Sequence, residues 1–222
     1  MLRRLIAEFL GTCTLVAVVV GSGTMAANIS ADRGVELLIN TFSTVVALGI
    51  LIQILGPVSG AHFNPAFTLS DWAQRRVGAP QAMSYVFAQF FGGIAGVILA
   101  NLMFKNPALF QSHHVRSGFN LLLGEVVATA GLLFLIQMLR GQKKLALSPV
   151  VVAGWIGSAY LFTSSTSFAN PAVTFARGFT NTFSGIALRS VAGFILAQLV
   201  GAALGTLLGN YLVHSKAEEI DE

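Results

Sequence analysis

The sequence predicts an all-α membrane protein, with six transmembrane helices and two re-entrant half-helices arranged as an inverted repeat. Three observations carry this expectation. The chain of 222 residues is 55% hydrophobic and only 10% charged, with a mean hydropathy of +0.75, whereas soluble domains usually carry about 25% charge. Six stretches are apolar over the roughly 20 residues that a bilayer crossing takes. The tripeptide Asn-Pro-Ala occurs twice, at Asn64-Pro65-Ala66 and Asn170-Pro171-Ala172, each followed by one variable residue and a Thr (Thr68, Thr174).

The first span, roughly 5–27, follows Arg3 and Arg4 and ends in small residues at Ala26 and Ala27, as a secretory leader would. It is too long for a typical leader core and carries Glu8, so it is expected to remain as a span. Cys13 lies inside it and, as the lone cysteine, is expected to be a small core residue. Spans at roughly 37–56 and 82–104 follow, with the first Asn-Pro-Ala between them. The second half repeats the order: spans at roughly 119–139, 147–164 and 186–213, with the second Asn-Pro-Ala before the last. The fifth span is short and runs into Thr163-Ser164-Ser165-Thr166-Ser167, so its far end is expected to be wet or buried in protein.

Lys and Arg in short connections set orientation. With the N-terminus inside, the cytoplasmic side collects Arg3, Arg4, Arg75, Arg76, Arg140, Lys143, Lys144 and Lys216, leaving Arg33, Lys105, Arg116, Arg177 and Arg189 outside. Both termini are therefore expected in the cytoplasm, and the chain in an inner (plasma) membrane. The net charge of +4 reflects this topology; no pattern points to nucleic acid.

The halves match at three places. Glu8 with Thr12 recurs as Glu125 with Thr129; the Asn-Pro-Ala segments follow; then Gln89-x-x-Gly92-x-x-x-Gly96 recurs as Gln198-x-x-Gly201-x-x-x-Gly205. One channel domain over 1–222 is expected, with repeat one at about 1–106, repeat two at about 117–214 and a solvated cytoplasmic tail at 215–222. Each half crosses three times, so the second is inserted upside down, which places the functional site near the midplane between the repeats.

A Pro fits the first helical turn and an Asn before it is a favoured N-cap. Each copy therefore starts a helix, and the apolar run after it ends within a few turns, at Ser70-Asp71 and at Gly178. Two such half-helices would meet N-terminus to N-terminus at mid-membrane and concentrate positive potential there. Such backbone survives in a membrane only buried in protein or beside a watery cavity.

Gly60-Ala61-His62-Phe63-Asn64-Pro65-Ala66, the second Asn-Pro-Ala, the paired Glu8 and Glu125 and the paired Gln89 and Gln198 resemble the aquaporin family of major intrinsic proteins over essentially the whole chain. The resemblance implies a right-handed six-helix bundle in a lipid bilayer, a homotetramer with one pore per subunit, and passive conduction of water or small uncharged solutes without a cofactor or metal. Asn64 and Asn170 would donate to a single file of water, which together with the positive helix ends opposes proton relay. Gly60, Ala61, His62, Phe63, Phe168 and Ala169 would turn carbonyls into the pore.

The chain departs from the family at the selectivity filter. Where most members carry Arg after the second Asn-Pro-Ala, this one has Val173. Counting by family offsets places Thr44 and Ser158 at two further filter positions, and Ser167 completes the ring. Such a ring is wider than that of a water channel and lacks a fixed cation. Arg177 is either a substitute cation, reaching back one turn, or a cap on the half-helix C-terminus.

The expected function is a permissive channel for water and small neutral solutes: glycerol, urea and metalloid hydroxides such as arsenous acid. Its rivals are a strict water channel, a proton-coupled transporter using Glu8 and Glu125, and a closed structural protein. Buried carboxyls are by default functional, but the resemblance favours Glu8 and Glu125 as anchors of the re-entrant segments. His62 is a gate or pH sensor, or simply packs. His113 and His114 are a metal pair or a solvated loop. No nucleophile with a base and no phosphate loop is present, so an enzyme is not expected.

Overall fold

The computed structural model describes residues 1–218, with side chains through Val213. The end of the expected tail, 219–222, lies outside the described residues. The chain forms α1 (Leu2–Ile29), α2 (Arg33–Ser59), α3 (Pro65–Ala73), α4 (Ala79–Met103), α5 (Phe119–Gly141), α6 (Ser148–Phe162), α7 (Pro171–Ala176) and α8 (Leu188–Glu218). Among the described residues six of these are long and apolar enough to cross a membrane, the fifth span, α6, counting together with the short turn Leu145–Leu147 before it. The last helix runs past the expected end near 213, and α3 and α7 are too short to cross.

Local chemistry explains the ends. Asp32 caps α2 by accepting from the amides of Gly34 and Val35. The helix stops at Gly60, whose φ of 92° lies in the left-handed region that glycine enters without penalty. Asn64 and Asn170, both extended, cap α3 and α7, each with Pro at the first position.

Packing pairs α1 with α4 and α5 with α8. The approach is close because of glycine. A Cβ on Gly92 or Gly96 would strike the carbonyl oxygens of Phe9 or Cys13, and one on Gly201 or Gly205 would strike those of Val126 or Ala130. Helices in lipid gain little from apolar burial against each other, so contact of this kind carries their association. Cys13 is half-buried at that seam. The main buried cluster gathers Val16, Val20, Val97, Leu133 and Ala159 with residues of both half-helices, such as Ala66 and Ala176.

Candidate functional site

The segments before the two half-helices share an unusual backbone. Ala61 and Phe63 have φ of 50° and 47°, and their counterparts Ser167 and Ala169 have 48° and 47°. Left-handed residues with side chains cost on the order of 1–3 kcal/mol each and persist only where the surroundings hold them. Alternating them makes neighbouring amides converge on one side, a concavity suited to an anion. A carboxylate fills each one. Glu8 accepts from the amides of His62 (3.0 Å) and Phe63 (2.7 Å), and Glu125 from those of Phe168 (2.8 Å) and Ala169 (2.8 Å).

A second tier fixes the carboxylates. Gln89 Nε2 donates to Glu8 Oε2 (2.8 Å) and to Thr68 Oγ1 (3.0 Å), and Thr68 Oγ1 donates to the Asn64 carbonyl. Gln198 repeats this with Glu125 (2.6 Å), Thr174 (2.8 Å) and the Asn170 carbonyl. Glu8 has one more donor, Ser59 Oγ at 2.6 Å, and the Tyr85 hydroxyl donates to the Ser59 carbonyl. Both Glu residues are fully buried.

Asn64 Oδ1 accepts from the Ala66 amide, and Asn170 Oδ1 from those of Ala172 and Val173. Their Nδ2 atoms cross over. Asn64 donates to the Ala169 carbonyl at 2.8 Å, and Asn170 to the Phe63 carbonyl at 2.7 Å. A side-chain amide has two N–H groups, and the second of each has no protein acceptor among the described residues. Pro65, Ala66, Pro171 and Ala172 are buried in the first turns behind them.

Both Asn residues line one cavity of about 550 Å³. At the end near the α5 C-terminus its wall includes Gln53, Arg140 and Pro149; its middle is formed by Gly60, Ala61, His62, Phe63, Phe168 and Ala169; at the far end stand Thr44, Ser167 and Val173. The hydroxyls of Thr44 and Ser167 are buried and without a protein partner.

Two expected positions are corrected. Ser158 is not in the ring: it is exposed and does not line the cavity. After Ser148 at its start, the lining residues of α6, Pro149, Val152, Ile156 and Tyr160, recur every three or four positions, and Ser158 falls two from the nearest, on the opposite face. Tyr160, buried and ten residues before Asn170, is the residue near that end of α6 that lines the cavity. The family offset that selects Ser158 holds only for a linker without gaps.

Arg177 is the other correction. It is buried but does not line the cavity, and no bond from its guanidinium to the α7 carbonyls is found among the described residues. Its Nε donates to the Ser184 carbonyl, and its guanidinium carbon lies 3.4 Å from the centre of the Phe168 ring.

Some participants carried no sequence signal that the reading used. Asp71, seven residues after Asn64, is buried and clamped by Arg140 through both carboxylate oxygens (2.5 and 2.6 Å). Arg76 stands at 3.4 Å from it and His62 Nε2 at 3.5 Å. The other ring nitrogen of His62 shares a hydrogen bond with Thr68 at 3.0 Å, and the ring packs on Phe67. An acid one half-helix away from a predicted cap was the available hint. His113 and His114 are exposed, and among the described residues no group of three or more potential metal ligands gathers.

Residues 1–168 match the model of the family described as major intrinsic protein. The chain is 47% identical over 212 residues, 95% of its own length and 90% of the relative's, to the aquaglyceroporin AqpS of Rhizobium meliloti (strain 1021). With aquaporin Z of Photorhabdus laumondii subsp. laumondii it shares 30% identity over 230 aligned positions, covering 92% of this chain and 95% of the other. The solved aquaglyceroporin of Plasmodium falciparum matches with a TM-score of 0.71 at 18% identity, over 99% of this chain and 98% of that one, a likeness of fold. Six apolar crossings, two opposed half-helices and these matches agree: the chain belongs to the major intrinsic protein family, an integral membrane protein of a class that conducts passively and is not an enzyme.

Proposed function

We propose that this membrane channel for water and small solutes passes glycerol, urea and neutral metalloid hydroxides such as arsenous acid, in addition to water. The single observation that carries the reading is the far end of the cavity. Val173, a short apolar side chain on the cavity wall, stands where the family's Arg is expected, with Thr44 and Ser167 as small neighbours on the same wall. A valine in place of a guanidinium takes up less of the lumen, which leaves room for a neutral solute larger than water.

In this reading Thr44, Tyr160, Ser167 and Val173 form the filter, and Gly60 to Phe63 with Phe168 and Ala169 supply acceptor carbonyls. Asn64 and Asn170 turn their free N–H groups to the passing file. Glu8 with Gln89, and Glu125 with Gln198, hold the two strained segments rather than relay protons, since their oxygens are engaged by amides. The chain works as two inverted repeats in a homotetramer, in the inner membrane with both termini cytoplasmic.

The aquaglyceroporin relative at 47% identity supports the wider solute range, as its name indicates for that protein. Stopped-flow swelling of proteoliposomes tests it. Uptake of glycerol, urea and arsenous acid above protein-free vesicles is expected. Water flux alone would establish the strict water channel instead, and solute accumulation driven by a proton gradient would establish the coupled transporter.

A further inference from the structure

The positions seven residues after the two capping Asn residues hold opposite charges, Asp71 and Arg177. Each touches the ring two residues before its Asn: His62 for Asp71, Phe168 for Arg177. The resemblance ends there. Asp71 is neutralised by Arg140 and Arg76. Arg177 has no carboxylate partner among the described residues, and a second cation joins it.

That second cation is Arg116, whose guanidinium carbon lies 5.1 Å from the centre of the same Phe168 ring. Arg116 Nε donates to the Gly185 carbonyl at 3.0 Å and Nη2 to the Phe183 carbonyl at 3.4 Å. Arg177 is only 2% exposed, and its Nη1 has no partner. Two guanidiniums thus share one ring and three backbone carbonyls. An aromatic face attracts cations and holds them in place without cancelling their charge, and arginine keeps its charge in proteins. Glu125, which acts on both guanidiniums, is bonded to two amides and Gln198, and one carboxylate set against two cations leaves one positive charge over.

Phe168 lines the cavity, whereas Arg116 and Arg177 do not. The charges therefore sit behind a residue of the wall, on a ring that also packs edge-on against Phe194. A filter arginine does two things at once: it narrows the lumen by its bulk and repels cations by its charge. We propose that in this chain Arg116 and Arg177, mounted on Phe168, supply the repulsion alone, so that the channel excludes cations without the narrowing. Contact is not needed for this. Charges act across a low-dielectric wall over several ångströms, and the screening length at physiological salt is about 8 Å. The inference rests on the reading of the chain as a channel for small neutral solutes.

Urea and guanidinium test it, being planar, of nearly equal size and different in charge. In proteoliposomes the protein is expected to pass urea at least about tenfold faster than guanidinium. Arg116→Met, and Arg116→Met with Arg177→Met, should raise guanidinium flux relative to urea, by about threefold and about tenfold, while the corresponding Lys variants keep the exclusion. A purely structural role would move both fluxes together and leave the ratio alone. Equal passage of urea and guanidinium by the unaltered protein overturns the inference, as does an unchanged ratio in Arg116→Met, which decides the matter even where the double variant does not fold. Absence of urea flux with intact water flux would instead remove the wide-solute reading on which it stands.

Discussion

Glu8 and Glu125 make the same pair of bonds in opposite halves of the chain, each receiving the two amides that immediately precede a capping Asn. The pairing explains why two carboxylates are kept inside a membrane protein. Each one settles a backbone turn that would otherwise point unpaired N–H groups into a dry interior.

Replacing Glu125 with Gln removes charge and sets an NH₂ group against donors. Hydrogen bonds to a charged group contribute about 1.5–3 kcal/mol each, so a loss of roughly 3 kcal/mol in stability is expected, with glycerol flux falling alongside water flux. Unfolding in detergent and vesicle swelling measure the two. A variant with full stability and unchanged flux would show that Glu125 holds nothing.

Val173→Arg adds bulk at the far end of the cavity. Glycerol flux should fall about tenfold or more and water flux by less, since a missing or added hydrogen-bonding fit at a filter separates solutes steeply. Equal loss of both would place the constriction elsewhere.

Tyr160 and Ser158 separate two assignments of the same ring. Tyr160→Ala opens the wall and should raise uptake of a polyol larger than glycerol, such as erythritol, a few-fold relative to water. Ser158→Ala, on the exposed face, should leave both rates as they are. The reverse pattern in a swelling assay would return Ser158 to the filter.

Gly205 offers a test of packing. A side chain there meets the Ala130 carbonyl, backbone that cannot turn aside. Gly205→Leu should therefore cost at least about 1–3 kcal/mol and sharply reduce folded protein in the membrane, as read by size-exclusion profile. Gly154→Ala, where nothing lies within reach of a Cβ, serves as the mild control.

The six spans, both half-helices and the Glu and Gln pairs were legible because each rests on chain-local chemistry: apolar length, a Pro after an Asn, a carboxyl where carboxyls are rare. Ser158 was misplaced because its position depends on how Thr163 to Ala169 turn, and two residues of slack in a linker rotate a helix position to the other face. Arg177 was read along its own helix, yet the Phe168 ring and the Ser184 carbonyl, reached through a later loop, decide where it lies. Arg116 joins them from the connection before α5, 61 residues earlier in the sequence. Contacts of that range leave no periodic trace.

The crosswise bonds from Asn64 to Ala169 and from Asn170 to Phe63 span 105 and 107 residues. During synthesis at about 5–20 residues per second, the first half waits on the order of 5–20 seconds for the partner that completes it. Through that interval water must stand where the second loop will later stand. The chain is therefore wet at its centre before it is whole, and a half-length version would leave the same groups to water unless it paired with an upside-down copy of itself.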